Sequence, residues 1–143
     1  ASLAAAGAVT KDLKIGTAVS LVLQHSLINL AVETATIDVL TGGRLLLGAG
    51  VGWNAEELAG HRPELPFRQR YSAMRERVAG LRTLWGKDPV SFDGSWDQLE
   101  SSIVQPKPCS PSTHNYRYKC ALCIGWIGEC HKPISYFIEH DTI

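Results

Sequence analysis

Between residues 44 and 58 the chain reads RLLLGAGVGWNAEEL, with Gly48, Gly50 and Gly52 at alternate positions and Trp53, Asn54, Glu56 and Glu57 close behind. Alternate residues of a strand share one face, so this spacing strips that face of side chains, while Leu47, Ala49 and Val51 take the other. Bare backbone weakens a strand unless something lies close against it. Two bodies could do so: a flat ligand at the carboxyl end of the strand, where α/β proteins build their sites, or a neighbouring element packed on the turn. Three glycines in alternation favour the ligand. A helix starting at Asn54 would turn backbone N–H groups towards the same place. Both glycine-based nucleotide motifs fail: G-x-G-x-x-G would need a glycine where Trp53 stands, and no Gly-Lys-Ser/Thr phosphate loop is present.

The remaining chemistry-bearing residues carry less. Glu56 and Glu57 could donate protons, but adjacent helical residues diverge, and a capping role for Glu57 is simpler. The arginines from Arg68 to Arg82 read as a solvated helix face in preference to a phosphate site. Cysteines are confined to residues 109–143, as Cys109, Cys120, Cys123 and Cys130. Cys120-x-x-Cys123 has half of a zinc-knuckle spacing and Cys130-His131 could add ligands. Adjacent Cys and His do not easily share one metal, though, and no second C-x-x-C follows. Free thiols in a cytoplasmic chain, with no metal site, are the expectation.

The elements that position these residues follow from patterning. LKIGTAVSLVL reads as a buried strand and SLINLAVETATIDVLTGG as a helix, with Ser26 as N-cap, Gly42 and Gly43 as the stop, and Ile28, Val32, Ala35 and Val39 on one apolar face. RLLLGAGV is a second buried strand, and Asn54 with Glu57 has the form of a capping box. After the proline-broken loop AGHRPELPFR, a helix over RYSAMRERVAGLRTLWG points Met74, Val78, Leu81 and Trp85 inward and Arg75, Arg77 and Arg82 outward. PVSFDGSWDQLE is a hairpin around Asp93-Gly94. Alternating helices and strands predict an α/β fold with parallel strands. A third strand is suggested at ALCIGWI.

The whole chain has 143 residues, 45% of them hydrophobic, and 14 basic side chains against 14 acidic. Zero net charge makes no case for nucleic acid or an anionic membrane as partner. No apolar run approaches the roughly 18 residues of a membrane span. The start lacks a signal-peptide pattern and an initiating methionine, which suggests a processed chain or a fragment.

LKIGTAV, TGGRLLLGAGVGWNAEEL, FRQRYSAMRERVAGLRTLWGKDPVSFDG and VQPKP together resemble the luciferase-like monooxygenase superfamily, particularly its F420-dependent oxidoreductase branch. The resemblance covers residues 1–108 and is most specific from Thr41 to Glu57. It implies a partial (β/α)8 TIM barrel, roughly strands three to four or five with their helices. Residues 109–143 would form an irregular tail of different composition, which a shifted reading frame would explain. It also implies coenzyme F420, with FMN as the alternative, at the carboxyl end of the strands. Gly50 and Gly52 would let the strand end approach the ring, and Trp53 and Asn54 would border it. Some family members place a catalytic acid at the position of Trp53; this chain does not. A non-prolyl cis peptide supporting the ring matches Ala18-Val19, with Thr17 beside it. His25 would lie near the pocket mouth, or be a loop histidine without chemistry. The implied activity is hydride transfer or oxygen insertion on a small organic substrate. The alternative is a non-catalytic barrel remnant that forms homo-oligomers through exposed strand edges.

Overall fold

The computed structural model describes residues 1–109. The proposed strand at ALCIGWI, Cys120, Cys123, Cys130 and His131 lie outside the described residues. Helix α1 spans Ser2–Val9, in an alanine-rich stretch whose side chains lose little entropy in a helix. Two short strands follow, β1 (Ile15–Gly16) and β2 (Ser20–Leu21), then a 3-10 turn at Val22–Gln24 and helix α2 (Leu27–Leu40). Strands β3 (Leu45–Leu46) and β4 (Ala49–Gly50) lead into α3 (Ala55–His61). After a second 3-10 turn at Phe67–Gln69 come α4 (Arg70–Leu84) and a hairpin of β5 (Val90–Asp93) and β6 (Gln98–Ser102).

The two predicted strands are present, but each is broken in the middle. β1 pairs parallel to β3 with Ile15 opposite Leu45, and β2 pairs parallel to β4 with Ser20 opposite Ala49. Three residues, Thr17 to Val19, lie between the paired segments on the first strand, against two, Leu47 and Gly48, on the second. The extra residue is a bulge, which bends the first strand and breaks the ladder. The architecture is α/β with parallel pairing across helical connections. Among the described residues the strands do not close into a barrel.

Helix α2 packs on the sheet with a face displaced from the predicted one. Its buried residues are Leu27, Leu30, Ala31, Thr34, Ala35 and Asp38, whereas Ile28 and Val39 are 39% and 44% exposed. This is still a helical stripe, but two of its positions are polar, so apolar periodicity alone misplaces it. Thr34 is accommodated by donating to the Leu30 carbonyl at 2.6 Å. Asp38 accepts the backbone N–H of Cys109 at 3.0 Å. Ser26 occupies the N-cap position without a side-chain capping bond. At the other end Gly42 and Gly43 have φ of 63° and 83°, the left-handed stop expected of them.

The main core joins α2, the strands and α4 through Leu30, Ala31, Leu47, Ala49, Leu81 and Leu84. Trp85 belongs to it, and its indole N–H donates to the Ala31 carbonyl at 3.1 Å, so the polar edge of the ring enters the core satisfied. Met74 and Val78 are only partly buried. Arg77, predicted to point outward, is 2% exposed. The hairpin covers that face of α4 and supplies Asp97 as counter-charge. The hairpin loop is also longer than predicted: Asp93 pairs with Gln98, so Gly94 to Asp97 form the connection. Among the described residues, no helix is long and apolar enough to cross a membrane.

Candidate functional site

The bulge lies where β1 and β3 end and β2 and β4 begin, one short segment before the carboxyl ends of the strands. Thr17 mends the broken ladder there: its hydroxyl accepts from the Gly48 N–H at 3.0 Å and donates to the Gly48 carbonyl at 2.9 Å. The same carbonyl accepts from the Ser20 N–H at 2.7 Å, and Thr17 N–H donates to the Leu46 carbonyl at 3.1 Å. The next peptide, Ala18-Val19, is cis.

This arrangement explains two of the three glycines. A Cβ on Gly48 would overlap the Thr17 carbonyl oxygen, and one on Gly50 would overlap the Val19 side chain. The bare face is therefore filled by the neighbouring strand, which leans over β4 at the bulge. Gly52 differs: it has φ of 76°, a left-handed conformation open to glycine, and its nearest neighbour there is the Leu21 side chain at 3.7 Å. Trp53 follows directly and is 76% exposed.

Asn54 caps α3, its side-chain oxygen accepting from the N–H groups of Glu56 at 2.9 Å and Glu57 at 3.2 Å. Those two N–H groups are thus used within the chain. The carboxylates of Glu56 and Glu57 stand exposed on the first turn of this seven-residue helix.

The structure brings Thr17, Ala18 and Val19 together with Gly48 and Gly50, and sets Gly52, Trp53 and Asn54 in sequence beyond them. None of the seven predicted site residues carries a charge. Ala18 and Trp53 are exposed, Thr17, Val19 and Asn54 half-buried, and Gly50 and Gly52 buried, so the accessible part of these seven is uncharged. It offers no cation for a phosphate.

His25 is placed elsewhere. It lines an open cleft of about 390 Å³ with Gln24, Ser26, His61, Arg62, Arg77 and Gln98, between the segment leaving β2 and the hairpin. Arg77 and Asp97 form a fork-to-fork pair at this cleft, with N–O distances of 2.7 and 2.7 Å, and the third Arg77 nitrogen donates to the His25 carbonyl. Burial pushes the Arg77 guanidinium below its ordinary range, and the Asp97 carboxylate pulls it back up. An arginine remains charged throughout.

Arg62 bonds the Trp96 carbonyl at 2.9 Å and also pairs with Glu64. Its hydrogen bond holds the Glu64 carboxyl below the usual range. Burial pushes the Glu76 carboxyl up, but the backbone N–H groups of Trp96, Asp97 and Ser95 outweigh it and hold the group low. This network was not visible in the sequence, because the bonds that tie its separate segments together join residues 19 to 52 apart and none has a marking motif. Among the described residues, no three His, Cys, Asp or Glu side chains gather as a metal site.

The sequence profile described as "Luciferase-like monooxygenase" matches residues 1–115 of the chain. The chain belongs to the luciferase-like monooxygenase family. Within that family it is 35% identical over 136 residues to the uncharacterized protein Rv0953c of Mycobacterium tuberculosis, covering 88% of this chain and 48% of that protein. The 88% takes in residues on both sides of position 108. It is 38% identical over 109 residues to an F420-dependent glucose-6-phosphate dehydrogenase of Nocardia farcinica, covering 74% of this chain and 32% of that enzyme. Among solved structures it resembles the monooxygenase RslO1 from Streptomyces bottropensis, with a TM-score of 0.68, 25% identity, and coverage of 76% of this chain and 32% of RslO1. The chain thus spans about half the length of the first of these relatives and a third of the others.

Proposed function

We propose that the chain forms part of a (β/α)8 barrel, roughly strands three and four, and holds one side of the ring of coenzyme F420 in an oxidoreductase of the luciferase-like family. The observation that carries this reading is the neutral strand end: Ala18, between half-buried Thr17 and Val19, and Trp53, beyond Gly52, are exposed, with no charged side chain among the four. The 38% identity to an F420-dependent dehydrogenase favours F420 over FMN.

The chain's own residues would act by placement. Thr17 locks the bulge to Gly48 through its two hydrogen bonds, fixing the height of the Ala18-Val19 step above the sheet. Gly48 and Gly50 permit that approach. Trp53 would cover an edge of the ring and exclude water from it. A bound F420 would supply hydride transfer to or from a small organic substrate, and a bound FMN would supply oxygen insertion. The cofactor phosphate would need residues other than these seven.

A titration of the purified, size-fractionated chain with F420, repeated with FMN and followed by cofactor fluorescence, tests the reading. Saturable binding of F420, weakened by Trp53→Ala, is the expected result. Saturation by FMN alone would move the assignment to FMN. No binding of either by a folded chain would favour the non-catalytic remnant assembling through its strand edges.

A further inference from the structure

Arg77 is the most deeply buried charged side chain among the described residues, and it joins three segments distant in sequence. From helix α4 its Nε and Nη2 grip the two oxygens of Asp97 in the hairpin tip, and its Nη1 donates to the carbonyl of His25. The hairpin tip is itself anchored. The Glu76 carboxylate accepts the N–H groups of Ser95, Trp96 and Asp97 at 2.9, 2.6 and 2.9 Å, and Arg62 reaches the Trp96 carbonyl. His25 belongs to the segment that leaves β2 through the turn Val22–Gln24, and β2 begins directly after the Ala18-Val19 step.

A planar guanidinium holds its donors in a rigid fork, so binding a carboxylate on one edge dictates the direction of the remaining N–H. A lysine could satisfy Asp97 or the His25 carbonyl, but could not hold both at a set angle. Stability alone does not call for this connection, since buried ion pairs are often replaceable by apolar residues at no cost.

We propose that Arg77 is a positioning residue: with Asp97 it uses the hairpin as an outer strut that sets the backbone of Val22–Ser26, and through it the strand end at Ala18–Leu21. The inference rests on the cofactor reading only for what that strand end holds. The residue never touches the ring surface. It acts by deciding where β2 is directed.

The test uses the full chain as wild type, Arg77→Lys and Asp97→Asn, with hydrogen–deuterium exchange read at residues 22–30, 94–98 and, for reference, 2–16. In Arg77→Lys, exchange at both of the first two segments should rise by about tenfold or more, as when a local opening loses a charge-assisted hydrogen bond, while residues 2–16 stay unchanged. A rise at 94–98 alone, or an equal rise everywhere, would overturn the coupling.

Asp97→Asn leaves a buried cation unmatched. If it fails to fold, native-state exchange of the wild type in low denaturant decides instead. Residues 22–30 and 94–98 should then share one opening, and two separate openings would overturn the proposal.

A parallel F420 titration separates this inference from the cofactor reading. Failure of the wild type to bind F420 or FMN removes the cofactor reading, while the exchange data still judge the strut. Coupled exchange with about tenfold weaker F420 binding in Arg77→Lys supports both, since small misplacements at a site carry large effects. Coupled exchange with unchanged binding overturns the claim that the strut reaches the strand end.

Discussion

The strand end at Gly48–Trp53 and the hairpin tip at Gly94–Gln98 are held in place by opposite means. At the strand end the fastenings are backbone hydrogen bonds, one threonine hydroxyl and close contact across bare glycines. At the hairpin tip they are two arginines, a glutamate and an aspartate, bonded to each other and to backbone carbonyl and amide groups. Neutral fastenings leave a surface that can be covered by an uncharged ring without stranding a charge. Charged fastenings cost desolvation, but they are directional and lock distant segments together. Charge is kept off the strand end and concentrated beside it, where it can aim the backbone.

The sharpest way to break this comparison is Asp97→Ala. It leaves Arg77 buried without its partner, so unfolding stability should fall by about 3–5 kcal/mol in a denaturant titration with unchanged slope. A loss below about 1 kcal/mol would make the pair no more than a surface ion pair and remove the contrast.

The strand end should show a smaller loss of a different origin. Gly48→Ala forces a methyl into the Thr17 carbonyl, and should cost about 1–3 kcal/mol in the same titration. Gly60→Ala is its control: nothing lies within 4 Å of that position in α3, so it should gain about 0.5–1 kcal/mol. Two substitutions of the same sign and size would show that the close approach of the strands is not what requires glycine.

The smallest expected effect is one of pH. The Glu76 carboxyl is held below its ordinary range when folded, so its contribution is fully present above the unfolded value of about 4.3 and disappears as pH falls through the lower folded value. Acid should therefore loosen the hairpin tip while leaving the strand end, which has no such group, unchanged. Exchange of the Ser95–Asp97 amides across that range checks it. Glu76→Gln should make the tip's exchange insensitive to pH there once intrinsic exchange is corrected for, and a persistent acid limb in that variant would assign the effect to another group.

Much of the fold could be read locally. The strand segments, the glycine stop after α2, the Asn54 cap and the inward Leu81 and Trp85 each follow from a few adjacent residues, because they depend on backbone conformation and helical spacing. The buried face of α2 was misplaced where Thr34 and Asp38 enter the interior, since their acceptability depends on the Leu30 carbonyl and on Cys109, not on hydropathy. Of the site, Gly50, Gly52 and Asn54 are legible from spacing and capping, whereas Thr17, Ala18, Val19 and the ring-bordering place of Trp53 follow only from the family resemblance. The glycine spacing alone favours a ligand over a packed neighbour, because it carries no record of the bulge in the adjoining strand. In the structure the neighbour fills Gly48 and Gly50, Gly52 is buried beside Leu21 in a left-handed turn, and Trp53 stands exposed beyond it.

By itself, then, the sequence determined the alternation of elements, the bare positions of β4 and membership of the luciferase-like family, because each is written in contiguous residues. Only the tertiary structure decided that the Thr17–Val19 bulge lies over those bare positions, that Arg77 turns inward and that Asp97 receives it. Arg77 and Asp97 are 20 residues apart, and Arg77 and His25 are 52 apart. A charge can be buried only when its partner arrives, and that arrival is a property of the folded chain.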